Sequence, residues 1–145
     1  DVNAPHKMQA LGIEVEVTKS NKGADYTELV EIEAECPDNQ PRSISGTLFS
    51  RAQNPRVVEL MGANVEFTPQ GTLLVLENKD QPGIVGKLGT VLGKDAVNIA
   101  NLSLNRINGT SNVIAVYELD SAPSEEALKE IRAHDGVNHC RVVTL

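Results

Sequence analysis

The stretch Glu77-Asn78-Lys79-Asp80-Gln81-Pro82-Gly83-Ile84 holds the residue types and spacing best suited to binding a small polar molecule. It joins a nearly continuous apolar run, Thr72 to Glu77, to a helical pattern opening at Pro82, so it reads as a strand-to-helix junction. A helix N-terminus presents backbone N–H groups without partners inside the helix, together with the positive end of the helix dipole, and both favour a carboxylate. Asp80, beside that terminus, can accept hydrogen bonds from an ammonium group. With Asn98 at the start of the next expected strand, these groups suit a zwitterionic amino acid. The competing reading is structural: Asp80 caps the helix and Asn98 closes a turn. Pattern alone does not choose between them.

The rest of the chain offers no catalytic constellation. Gly83, Gly86 and Gly89 give GxxGxxG inside a helical pattern, whereas a dinucleotide loop needs GxGxxG between a strand and a helix. No P-loop, HExxH or GxSxG occurs. His6, His134 and His139 are scattered, and Cys36 and Cys140 stand in no metal-ligand spacing, which reads as two reduced thiols and no metal. The sequons at Asn101 and Asn108 read as coincidence, and Glu28, Glu31, Glu33 and Glu35 as a solvated face. A net charge of −7 opposes any phosphate backbone, so nucleic acid is not an expected partner. No apolar run approaches the roughly 20 residues of a membrane span. The opening Asp1-Val2-Asn3-Ala4-Pro5 has no initiator Met and no basic flank before an apolar stretch, so we expect a cytoplasmic protein and an excised fragment of a longer one.

The junction must be positioned by the elements around it. A short helical turn over His6 to Ala10 is expected to end at Gly12, followed by a half-buried strand through Ile13, Val15 and Val17. Leu29 to Ala34 and Ser43 to Phe49 form a hairpin about Cys36 to Pro41, and Arg56 to Met61 and Asn64 to Thr68 a second one about Gly62-Ala63. The first 70 residues are thus mostly antiparallel strands that lack a covering layer.

From Gly71 the pattern changes. Ile84, Val85, Leu88, Val91 and Leu92 form one helical stripe, with Gly86, Gly89 and Gly93 making a ridge that implies close approach by something. Val97 to Arg106 and Asn112 to Leu119 make a hairpin about Asn108-Gly109. A second helix opens with Pro123, Glu125 and Glu126 in its first turn and Ala127, Leu128 and Ile131 buried. Gly136 ends it, and Val137 to Thr144 is the last strand. The expected class is α+β: an antiparallel, β-rich partial domain over 1–70, then a ferredoxin-like βαββαβ domain over 71–145.

Leu76 to Gly86, followed by Val97-Asn98-Ile99-Ala100, resembles the ACT domain, a regulatory fold that binds amino acids. Ser45-Gly46-Thr47-Leu48-Phe49, Arg56-Val57-Val58 and Gly71-Thr72-Leu73, ahead of that segment, extend the resemblance to the C-terminal end of the D-3-phosphoglycerate dehydrogenase family. The resemblance implies that 1–70 is the C-terminal part of an intervening, allosteric substrate-binding domain and 71–145 the ACT domain. It implies L-serine, or a related small amino acid, bound between two ACT domains of a homodimer, itself part of a tetramer in the parent. Asn78 and Asp80, with Pro82, Gly83 and Ile84, would contact the effector from one subunit and Asn98 from the other. No cofactor is implied here; NAD and the catalytic residues belong to the parent's other domains. A weak anion site at Arg51 and Arg56 is a further implication, set against neutral Ala63 and Thr68. The alternative is an oligomerisation module without effector response.

Overall fold

The computed structural model describes residues 4–19, 26, 28–35, 42–49 and 54–145. The chain opens with α1 (Ala4–Ala10), then β1 (Val30–Ala34), β2 (Arg42–Phe49) and β3 (Asn54–Leu60). These three strands form an antiparallel sheet in the order β1-β2-β3. There follow β4 (Thr72–Lys79), α2 (Ile84–Lys94), β5 (Ile99–Arg106), β6 (Asn112–Leu119), α3 (Glu125–Arg132) and β7 (Val137–Thr144). This second sheet has the order β5-β6-β4-β7 and its pairs are antiparallel, which is the split βαββαβ arrangement.

The central strands β4 and β6 are apolar on both faces because both faces are covered. Leu74 and Leu76 with Ala115, Tyr117 and Leu119 point to the side carrying α2 and α3, where they pack with Ile84, Leu88, Val91, Leu92, Leu128 and Ile131. The alternate residues Leu73, Ile114 and Val116 point the other way and form a second cluster with Val57, Ala63, Val65 and Phe67. Each such aliphatic side chain removed from water contributes about 1.5–3 kcal/mol. The layer expected to be missing from the first 70 residues is thus partly supplied by the second sheet, which covers β3 and the segment after it.

The two helices are joined at their ends. Ser124 is the N-cap of α3 and its side chain accepts from the Ala127 N–H at 3.2 Å. Asp95, at the C-cap of α2, accepts from the Ser124 N–H and Oγ–H, both at 2.7 Å. The Ser124 backbone bond, and after it the hydroxyl bond, hold the Asp95 carboxyl below its ordinary range. Pro123 therefore stands before the cap, not in the first turn as expected.

Several other expectations are corrected. Ile13 to Val17 is exposed and forms no strand among the described residues, because alternation permits a strand without supplying a neighbour. Asn64 to Thr68 is not a strand of a ladder. Among the described residues its backbone meets β3 through the single bridge Val57 to Phe67, with Leu60 to Ala63 bridging just ahead of it, and is otherwise held by the second sheet. The Glu66 N–H donates to Ser103 Oγ, and Asn105 donates to the Asn64 carbonyl. Val85 is 44% exposed and lies off the buried stripe of α2. The expected loop Cys36 to Pro41 lies outside the described residues.

Candidate functional site

Asn78 continues the row of Leu74 and Leu76 on the helix-facing side of β4, so its amide is carried into the core at the end where α2 begins. It is 4% exposed; its Nδ2 donates to the Lys79 carbonyl at 2.7 Å, while its Oδ1 has no hydrogen-bond partner. A buried acceptor left without a donor costs about 1–3 kcal/mol, so it is a place where a ligand N–H or O–H gains most.

The junction beyond it is fixed by its backbone. Lys79 N–H donates to the Gly136 carbonyl at 2.8 Å and Asp80 N–H to the Ser111 carbonyl at 2.9 Å. The Gln81 amide donates to the Asp135 carbonyl at 3.0 Å and lies against Gly136, where any Cβ would strike it. Gly136 also has φ 96°, a second reason for glycine there. Gly83 is the N-cap of α2, again at φ 96°, and no side chain caps the helix. The first-turn N–H groups are therefore not satisfied by a capping side chain. Pro82 precedes the cap and is exposed, and Ile84 lies in the core at 2% exposed.

Asp80 does not cap α2. Its Oδ2 accepts from Arg106 Nε at 2.6 Å, in an exposed pair worth at most about 1 kcal/mol. Asn98 stands one residue before β5, its Nδ2 donating to Asp120 Oδ2 at 2.8 Å while the Asp120 N–H donates to the Asn98 carbonyl at 3.2 Å. Arg106 and Asp120 were not singled out from sequence. The hairpin about Asn108-Gly109 was the signal for Arg106, since it brings the end of β5 beside the start of β6 next to Asp80.

The register separates the expected binding residues into two groups. Asn78 and Lys79 pair with Val113 and Asn112 at the start of β6, whereas Ile99 pairs with Leu119 at its end. Asn78, Asp80 and the α2 terminus thus lie at one end of the sheet and Asn98 at the other, about 20 Å apart along β6. One copy of the chain cannot close a small site around both.

The environment of Arg56 is acidic. Its Nη1 donates to Thr68 Oγ1 at 2.6 Å, its Nε lies 3.7 Å from Glu66, and the Thr68 N–H donates to Glu118 at 3.2 Å. A carboxylate already beside this guanidinium does not favour an anion there. Arg51 lies outside the described residues.

Comparison with known proteins bears on both parts of the chain. The family described as D-3-phosphoglycerate dehydrogenase intervening domain matches residues 1–61. The D-3-phosphoglycerate dehydrogenase of Mycobacterium leprae is 30% identical over 144 residues, covering 99% of this chain and 27% of that enzyme. The one from Archaeoglobus fulgidus is 29% identical over 136 residues, covering 92% of this chain and 25% of the enzyme. That of Methanocaldococcus jannaschii is 28% identical over 144 residues, covering 99% and 27%. The chain spans about a quarter of the length of these relatives. Its first 61 residues thus match a D-3-phosphoglycerate dehydrogenase intervening domain, and nearly all of the chain is similar to one segment of such enzymes.

Proposed function

We propose that the chain is an amino-acid-sensing regulatory segment of a D-3-phosphoglycerate dehydrogenase in L-serine biosynthesis, with residues 1–70 completing an intervening domain and 71–145 forming an ACT domain. It binds L-serine between two copies of itself and does no catalysis alone. The parent's active site and its NAD would be held by other parts of that enzyme. The observation that carries this reading is the unpartnered, buried Oδ1 of Asn78 behind a helix N-terminus without a capping side chain. The helix N–H groups take the carboxylate, and Asn78 Oδ1 and the Asp80 carboxylate take the ammonium or hydroxyl protons.

The separation of Asp80 from Asn98 supports a two-copy site. β5 is an edge strand of its sheet among the described residues. If two β5 strands pair antiparallel about a two-fold axis, the Arg106 end of one lies beside the Ile99 end of the other. That brings Asp80 of one copy toward Asn98 of its partner and closes two equivalent sites. The same pairing protects an exposed edge. A Cβ at Gly86, Gly89 or Gly93 would meet nothing within 4 Å among the described residues, which leaves that ridge open to a second copy.

Serine bound across the pair would bias the relative orientation of the domains and slow the parent enzyme by feedback, with coupling of about 1–3 kcal/mol. At about 1 kcal/mol per heavy atom, affinity is no tighter than roughly micromolar. One observation favours the alternative of an oligomerisation module: Asp80 and Asn98 already have partners, Arg106 and Asp120, in the same chain. Calorimetric titration with L-serine, beside glycine and L-alanine, decides between them. Saturable binding lost in Asn98→Ala and Asn78→Leu supports sensing; no heat from a folded dimer supports assembly alone.

A further inference from the structure

A cleft of about 440 Å³ lies between the two sheets, on the face of β4 turned away from the helices, and is independent of the reading above. One wall is β2 and β3 with the segment after them, through Ile44, Val57, Leu60 and Phe67. The other is the outer face of β4 and β7. This volume is in the range of sites that enclose a small molecule.

The register of β4 with β7 grades the polarity along the cleft. Leu73 pairs with Val143, Val75 with Arg141, and Glu77 with His139. The cleft therefore runs from an apolar end, closed by Pro69, Val143 and Leu145, to an ionisable end about 13 Å away along β4. Leu145 is held there by its N–H donating to the Gly71 carbonyl at 3.0 Å. Three basic residues line the cleft, Arg42, His139 and Arg141, against one carboxylate, Glu77, which already accepts from Asn112 at 2.8 Å. The two arginines outnumber that carboxylate, in a chain of net charge −7. Arg141 has no ion-pair partner among the described residues and lies directly across from Val75, midway along the apolar wall.

We propose that this cleft binds an amphipathic carboxylic acid, its apolar body lying between the sheets toward Leu73, Val143 and Leu145 and its carboxylate on Arg141 beside His139. Occupancy would bridge β2 and β3 to the sheet that carries the α2 terminus, so the ligand holds the two parts of the chain in one arrangement.

The probe is octanoate, titrated into the full 145-residue chain by calorimetry with methyl NMR on Val57, Val75 and Ile114. One saturable site that shifts those methyls is expected. Affinity should fall about tenfold or more in Arg141→Gln and several-fold in Leu145→Ser. Both residues are exposed, so neither change threatens the fold. Octylammonium, with the same body and the opposite charge, should fail to compete. The proposal is overturned if octanoate does not saturate, if Arg141→Gln binds it as the parent chain does, or if octylammonium binds equally well. It is also overturned if octanoate binds only by splitting an oligomer, seen as a loss of mass in sedimentation, which would assign the cleft to a second copy.

Discussion

β4 and β6 bury side chains on both faces, whereas the residues of β1 are exposed along its whole length, although all three strands carry β-branched and apolar residues. The difference lies in what surrounds them. Leu74, Leu76 and Tyr117 have two helices on one side of their sheet, and Leu73 and Val116 have Val57, Val65 and Phe67 on the other. Val30 and Ile32 have β2 beside them and no layer above or below among the described residues, leaving them 66% and 58% exposed. Burial depends on the layers, and a strand's own composition only permits it.

That contrast can be broken first at its hinge. Phe67, 5% exposed, belongs to the cluster that joins the outer face of the second sheet to β3. Phe67→Ala should cost about 4 kcal/mol, read by denaturant unfolding with hydrogen exchange. If the regions unfold together, protection falls in β3 and β4 alike; loss confined to β2 and β3 would show that they fold apart. Leu88→Ala, in the helix-side core, should cost about 3 kcal/mol and lower protection across the second sheet.

Ser124→Ala sharpens the contrast at smaller scale, with an expected loss of about 1 kcal/mol. It also tests the acid behaviour of Asp95. Because the folded carboxyl titrates below its unfolded value, its stabilisation is fully present above the ordinary carboxylate range and is lost as pH falls through the depressed folded value. Urea unfolding between neutral pH and pH 3 should show a smaller acid loss in Ser124→Ala than in the parent chain. Ile32→Ser, on exposed β1, should change stability by no more than about 0.5 kcal/mol. A larger loss would mean that something covers β1.

The second sheet was largely legible in the sequence because its signals are local. Asn108-Gly109 fixes a hairpin and the stripe from Ile84 to Leu92 fixes a helix, although the second helix is capped at Ala133, three residues before the expected Gly136. The first part was less legible because its contacts are remote: alternation at Ile13 to Val17 does not say whether a partner exists, and nothing local to Asn64 to Thr68 announces Ser103, Asn105 or Glu118 as its hydrogen-bond partners. Of the candidate site, the junction was legible and its internal partners were not. That Asn78 shares a face with Leu74 and Leu76 was hidden by the nearly continuous apolar run from Thr72 to Glu77, which does not show which face meets the helices. That its Oδ1 lacks a donor depends on the packing around it, which no periodicity reveals.

The central claim is that one effector site takes Asp80 from one copy and Asn98 from another. The most direct test is complementation: L-serine titrated calorimetrically into Asp80→Ala, into Asn98→Ala, and into the two mixed after dissociation and reassembly. Each variant alone should bind no serine, and each mixed dimer should regain one intact site of two. Binding that stays absent in the mixture, from reassembled dimers, or that survives in either variant alone, would contradict the account.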